Sequence, residues 1–380
     1  MLESFSVSNY KNFKDKITLN LKAANYDFNN EIVSDNKILN FAIIYGYNAC
    51  GKSNLMLALF DIVYSLTDLN HRQRGPEKSS NYQNIFKKND LVEFEYRFNF
   101  DDNIVIYNYK KKNIDEIIFE ELIINDKTLI YFDKSKGFTF NHHFKESQSL
   151  TLDLNNPKLS AIKYLYANTQ LDIKNTESKA FYDFMDYVQN MLLFWSLQDR
   201  SYIGFTNGVT QIIDELIKNN WVTEYNDFLI QNDINREIVV KELPDGNKGA
   251  YYKFGKNNFL PLVTNMSNGE SALLLLFFWV QMCKSNKKPS LLCIDDVDAF
   301  YHIKLSKRIV SSFKKMKDIQ IILTSHNSNL ISNEILRSDA YFLIKENNIN
   351  SLNNLTDKEL RQAHNLEKLY RAGTFDYLYQ

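Results

Sequence analysis

The sequence predicts a mixed α/β fold: a largely parallel core sheet, an antiparallel β-subdomain beside it, and an inserted region of hairpins and helices. Three observations carry that prediction. The apolar run Ile38 to Tyr45 reads as a buried strand. It leads directly into Gly46-Tyr47-Asn48-Ala49-Cys50-Gly51-Lys52-Ser53, and helix-spaced apolar residues follow from Asn54 to Leu66. From Leu91 to Phe132 the pattern alternates with period two, which calls for antiparallel strands that a purely parallel core does not contain. Two later apolar runs, Leu291 to Asp295 and Ile319 to Thr324, read as buried parallel strands whose polar ends lie at the C-terminal edge of the sheet.

Composition sets outer limits. A chain of 380 residues with 44% hydrophobic content is long enough for two or three compact units, or for one domain with an insertion. No stretch approaches the roughly 18 uninterrupted apolar residues of a membrane span, and the N-terminus lacks a basic-then-apolar signal. A soluble, cytoplasmic protein with no membrane partner is expected. The 3 cysteines have no C-x-x-C spacing, so neither a disulfide framework nor a zinc site is indicated. A net charge of −1 gives no global reason for nucleic-acid binding, though a local basic patch is compatible with it.

The elements follow in order. Leu2 to Val7 and Ile17 to Leu21 alternate like strands around a polar-aromatic turn, Asn9 to Lys14. The loop Gly46–Ser53 has the spacing G-x-x-x-x-G-K-S that cradles phosphates. Its glycines let the backbone N–H groups turn inward, Lys52 brings a compact positive charge, and the Ser53 hydroxyl suits Mg²⁺. The following helix places its positive N-terminal end at the same point. Residues 68–90 read as a polar loop. The alternating strands then turn at Asp101-Asp102-Asn103 and again at Asn125-Asp126-Lys127. His142 and His143 point to opposite strand faces and cannot easily share a metal.

Residues 175–232 have helical spacing. Phe181, Phe184, Val188, Met191 and Trp195 form a short seam, and Ile212, Ile213, Leu216, Ile217 and Trp221 form a second apolar run. A hairpin, Glu237 to Glu242 and Ala250 to Phe254, returns the chain to the core. Ser267 and Glu270 make a capping box opening the apolar helix Ser271 to Met282. Asp295 and Asp296 end the next strand, and Ser325-His326-Asn327 ends the one after it. Thr356 to Glu359 is another capping box, predicting a helix to Arg371 with Arg361, His364, Lys368 and Arg371 on one basic face.

In this order the motifs resemble ABC-type ATPases of the SMC, RecF and OLD group, including AAA-domain ATPases of bacterial defence and repair operons. The resemblance covers about 1–110 and 250–340. It implies a P-loop NTPase with an ABC-type core, divided into an N-terminal lobe (1–110), an insertion (111–249) and a C-terminal lobe (250–380). ATP and Mg²⁺ are the implied cofactors. The implied nucleotide contacts are Gly46, Asn48, Ala49, Gly51, Lys52, Ser53 and Asn54. Met266-Ser267-Asn268-Gly269-Glu270 stands where the family's L-S-G-G-E signature reaches across to the partner's ATP, with Met266 and Asn268 as departures. Ser53 and Asp295 would hold the metal, while Asp296 would be the base and His326 the γ-phosphate switch.

Asp296 replaces the family's usual glutamate and is one methylene shorter, which implies slow turnover and long-lived ATP-bound dimers. Either Gln73 or Gln83 would serve the Mg²⁺ site. Asp298 reads as the aspartate that crosses the dimer interface or as a helix cap. The chain after His326 is too short for the nuclease domain of OLD-type relatives, so a separately encoded effector, a nuclease or toxin, is expected. The implied role is the sensor of an antiphage system acting as a homodimer or higher homo-oligomer. The alternative is a RecF- or SMC-like repair ATPase acting on DNA.

Overall fold

The computed structural model describes residues 1–69, 81–136, 139–144, 160–195, 202–204, 212–244, 246–284, 288–316, 318–345 and 347–376. Its first layer is a seven-stranded antiparallel sheet, ordered β2-β1-β4-β5-β6-β7-β8. These strands are β1 (Leu2–Ser8), β2 (Ile17–Asn20), β4 (Val92–Phe100), β5 (Asn103–Lys111), β6 (Ile117–Ile124), β7 (Lys127–Asp133) and β8 (Thr139–His142). Along β4, Val92, Phe94, Tyr96 and Phe98 are buried while Glu93 and Glu95 face solvent, as period-two alternation requires of a sheet covered on one face. The helix Thr176–Gln189 covers that face, its Phe184 and Tyr187 rings meeting Phe98 edge-on at 5.4 and 5.3 Å.

The second layer is the core sheet, ordered β10-β9-β14-β15-β3-β16-β17. It comprises β3 (Phe41–Tyr45), β9 (Met191–Trp195), β10 (Tyr202–Gly204), β14 (Leu291–Asp295), β15 (Gln320–Ser325), β16 (Tyr341–Lys345) and β17 (Asn348–Ser351). From β9 to β16 neighbours run parallel; the two edge strands are antiparallel. Every residue of β3, β14 and β15 is buried, which is why these strands read as continuous apolar runs. A small sheet, β11 (Glu237–Glu242), β12 (Lys248–Phe254) and β13 (Asn258–Pro261), precedes the apolar helix Asn268–Lys284. Gln320 joins the two large sheets: its amide donates to the carbonyls of Leu2 (2.8 Å) and Leu39 (3.0 Å), and its carbonyl accepts from Leu2 N–H and the Tyr187 hydroxyl.

Three expectations are corrected at the level of elements. The helical seam stops at Gln189; Met191 to Trp195 is β9, paired in parallel with β14. Five consecutive large apolar residues suit a strand between two layers, and Asn190 ends the helix before them. The helix after the phosphate loop is two pieces, Lys52–Leu59 and Asp61–Leu66, broken at Phe60. At the C-terminus only Leu366–Arg371 is helical, capped by Asn365. Thr356 instead accepts from Lys358 N–H in a local turn, so Arg361 and His364 lie outside the helix and the basic face does not form.

Candidate functional site

The phosphate loop leaves β3 between β15 and β16, the middle of the parallel sheet's C-terminal edge. Gly46 has no room for a side chain: a Cβ would fall 2.7 Å from both the Ile344 carbonyl and its methyl group. Gly51 is left-handed (φ 106°), and a Cβ there would lie 2.4 Å from the Asn12 amide. Ala49 is left-handed as well, at φ 63°, a conformation that costs energy for a residue with a Cβ and marks a constrained loop. Lys52 is buried, its ammonium donating to the carbonyls of Gly46 (2.9 Å) and Tyr47 (3.2 Å). The lysine thus folds back across its own loop, and Asn48 is exposed at the loop's outer side. Asn12, from the turn after β1, accepts from Asn54 at 2.6 Å and donates to Cys50 carbonyl at 3.4 Å, bracing the loop from outside.

Two strands away, β14 ends at the same edge. Asp295 is buried and accepts a 2.5 Å hydrogen bond from the Thr324 hydroxyl, which in turn accepts from Asp296 N–H at 2.8 Å. One hydroxyl on β15 therefore fixes both consecutive aspartates, a role that the sequence analysis did not assign to Thr324. The clue was there: a lone polar residue at the end of a buried apolar run, directly before Ser325-His326. Asp296 is left-handed (φ 50°), which swings its carboxylate out of strand geometry to lie 3.9 Å from His326 Nδ1. Burial, followed by the neighbouring Asp295 charge, pushes the Asp296 carboxyl above its ordinary range, while Lys52 and His326 pull against the shift. Lys52 at the start of the helix after the phosphate loop, Asp295 at the end of β14 and His326 just past β15 thus bear on one carboxylate.

Asp298 is only 6% exposed, and its Oδ1 has no hydrogen-bond partner. It does not cap the helix Ile303–Phe313; His302 does, accepting from Leu305 N–H. Of the glutamine candidates, Gln83 turns its amide to the Asp90 carbonyl at 2.8 Å, and Gln73 lies outside the described residues.

The capping box forms as the spacing predicts: Glu270 N–H donates to Ser267 Oγ (3.2 Å) and Ser267 N–H to the Glu270 carboxylate (2.9 Å). Burial raises the Glu270 pKa, but the Ser267 and Tyr252 hydrogen bonds and the Arg236 charge outweigh it and hold the group below the usual range. Ser267 faces solvent, and Gly269 sits against the Phe300 backbone with ordinary clearance for a Cβ. Glu270 meets Arg236 and Tyr252 of the preceding segment, and Gly269 the Phe300 backbone after β14.

Residues 41–332, which contain the phosphate loop, the Ser267–Glu270 capping box, the paired aspartates and His326, match the family described as "AAA domain, putative AbiEii toxin, Type IV TA system". The chain belongs to that AAA-domain family. No curated protein sequence matches this AAA chain. Among solved structures it is similar in fold to an SMC head bound to the C-winged-helix domain of ScpA: 14% identity, TM-score 0.45, 92% of this chain and 96% of that one. A second is the SMC head domain from Thermotoga maritima, at 14% identity and TM-score 0.42, covering 90% and 94% of the two chains. A third is the Pyrococcus furiosus Smc head with an extended coiled coil bound to the C-terminal domain of ScpA, at 11% identity, TM-score 0.43, and 100% and 99% coverage.

Proposed function

We propose that the protein is an ATPase that closes two ATP molecules between two copies of itself and uses that state to control a separate effector. The supporting observation is the setting of Asp296: its backbone N–H is held by Thr324, its carboxylate lies 3.9 Å from His326 Nδ1, and the Asp295 and Lys52 charges bear on it. In this reading Lys52 leaves its loop carbonyls for the β- and γ-phosphates, and the N–H groups around Asn48, Ala49 and Gly51 close on the same oxygens. Asn54 contributes from the first helical turn. Asp296 accepts the proton of the attacking water, and His326 donates to the γ-phosphate.

The donors at the remaining position fit magnesium: the Ser53 hydroxyl and the Asp295 carboxylate are hard oxygen ligands. Ser53 and Asp295 would hold the ion through these oxygens and leave the rest of its shell to water and phosphate. When bound, Mg²⁺ neutralises phosphate charge and holds the triphosphate in line. Thr324 fixes the Asp295 carboxylate in advance of binding.

A second copy enters because Ser267 is open to solvent, from where the turn Ser267 to Glu270 would reach the nucleotide of a partner. Apolar side chains stand out around the same features: Tyr47 on the phosphate loop (69% exposed), Val263 before the signature (68%) and Ile303 after Asp298 (48%). A head-to-tail dimer covers them together. The family's description as a putative toxin of a type IV toxin–antitoxin system supports a place in bacterial defence. The test is Mg²⁺-dependent phosphate release by the purified chain, with Asp296→Asn as control. No release, or equal release by the variant, rejects the assignment; release stimulated strongly by DNA in a salt-sensitive way moves the role to repair.

A further inference from the structure

We infer that the C-terminal helix Leu366–Arg371 sets the position of the His326 loop over the phosphate loop, with Arg371 as the positioning residue. This rests on the ATPase reading above. The Arg371 guanidinium donates to Asn329 Oδ1 at 3.3 Å and is held in place by Glu367 at 2.8 Å, one helical turn earlier. Asn329 passes the contact on: its side-chain amide (2.7 Å) and its backbone N–H (3.1 Å) both donate to Asn327 Oδ1. Asn327 N–H donates to Ser325 Oγ at 2.9 Å, which fixes the turn that carries His326 between them. A continuous polar chain therefore runs from the helix to the histidine facing Asp296 at 3.9 Å.

The adjacent residue looks the other way. Tyr370 is half-buried; burial raises its phenol pKa, and Tyr47 and Cys50 of the phosphate loop add to the shift. Arg371 thus reaches the histidine loop, while Tyr370 beside it lies near enough to the phosphate loop to sense Tyr47 and Cys50. The helix is also firmly seated. Leu366 and Phe375 are buried, and the Asn333 amide holds the carbonyls of Arg361 (3.1 Å), Gln362 (3.1 Å) and His364 (3.0 Å) just before it. Asn333 belongs to the segment that follows His326, so helix and histidine loop are tied at both ends. Arg371 itself is 59% exposed, more than packing alone requires.

The experiment compares Arg371→Ala, Asn329→Ala and the double variant with wild type in steady-state hydrolysis, nucleotide affinity by a fluorescent ATP analogue, and thermal melting. A loop misplaced by a fraction of an ångström is expected to lower kcat by about 10-fold or more, while KM, affinity and Tm hold. The double variant should be no worse than either single one, since both break one chain of contacts. Arg371→Lys, which cannot hold Glu367 and Asn329 together, should restore only part of kcat. Unchanged kcat in both single variants, additive losses, or a fall in affinity and Tm together with kcat overturns the inference. Absence of hydrolysis in wild type rejects the ATPase reading instead.

Discussion

In the proposed reaction Asp296 is the base. Its left-handed backbone, its backbone N–H bond to Thr324 and its distance from His326 fix where its short carboxylate lies. Asp296→Asn is expected to lower phosphate release by about 100-fold or more, the scale of losing a general base, with ATP affinity retained. Filter binding beside a phosphate assay checks both halves. Stability should move the opposite way. Because burial raises the folded pKa, the protonated form is the favoured one in the fold, and stability is lost as pH rises through that value. Asp296→Asn should therefore melt at or above wild type at pH 7. The gap should close as pH falls below the unfolded carboxylate value of about 3.9. A lower Tm for the variant at pH 7 contradicts this. Gly46→Ala tests the loop itself: the Cβ has no space beside Ile344, so nucleotide binding should be lost.

Elements were legible where one pattern dominated. The fully apolar strands beside the site and the alternating strands of the outer sheet each have a single reading, because burial on two faces or on one dictates residue type directly. Met191 to Trp195 misled because spacing of three and four is also met by chance within a continuous apolar run. Only the partner strand β14 shows that the segment is extended. Thr356 to Glu359 misled because a capping box favours a helix without supplying the packing that keeps one.

A buried ion pair was invisible for a similar reason. Lys111 on β5 meets Asp61 at 2.9 Å, and that carboxylate also accepts from the hydroxyls of Tyr82 (2.9 Å), Tyr109 (3.1 Å) and Ser65 (3.1 Å). It ties the outer sheet to the second helix after the phosphate loop. Removing one partner leaves a buried charge uncompensated, so Lys111→Met is expected to destabilise by about 3–5 kcal/mol in urea unfolding. A loss under about 1 kcal/mol would mean that the hydroxyls alone satisfy Asp61.

At the scale of the whole molecule, the proposed mechanism divides each site between two copies of the chain. Asp296→Asn with ATP and Mg²⁺ should shift to dimer mass in light scattering, and Ser267→Arg introduced into that variant should keep it monomeric. Ser267 is exposed, so Ser267→Arg should lose no more than the capping contribution of about 1 kcal/mol. A monomer in the first case, or a dimer in the second, removes the shared-site mechanism.

The sequence alone determined the phosphate loop, its flanking strand and helix, the paired aspartates and the order of the strands' polar ends. Those features follow from short-range spacing and from which residue types a buried strand accepts. Tertiary structure decided what spacing cannot encode: that Thr324 grips both aspartates, that Asn12 braces a loop far along the chain, that β9 joins the core sheet, and that the last helix bonds to the loop carrying His326. Each of these joins residues distant in sequence. Such contacts depend on the register and packing of whole layers, so no local window of residues contains the information.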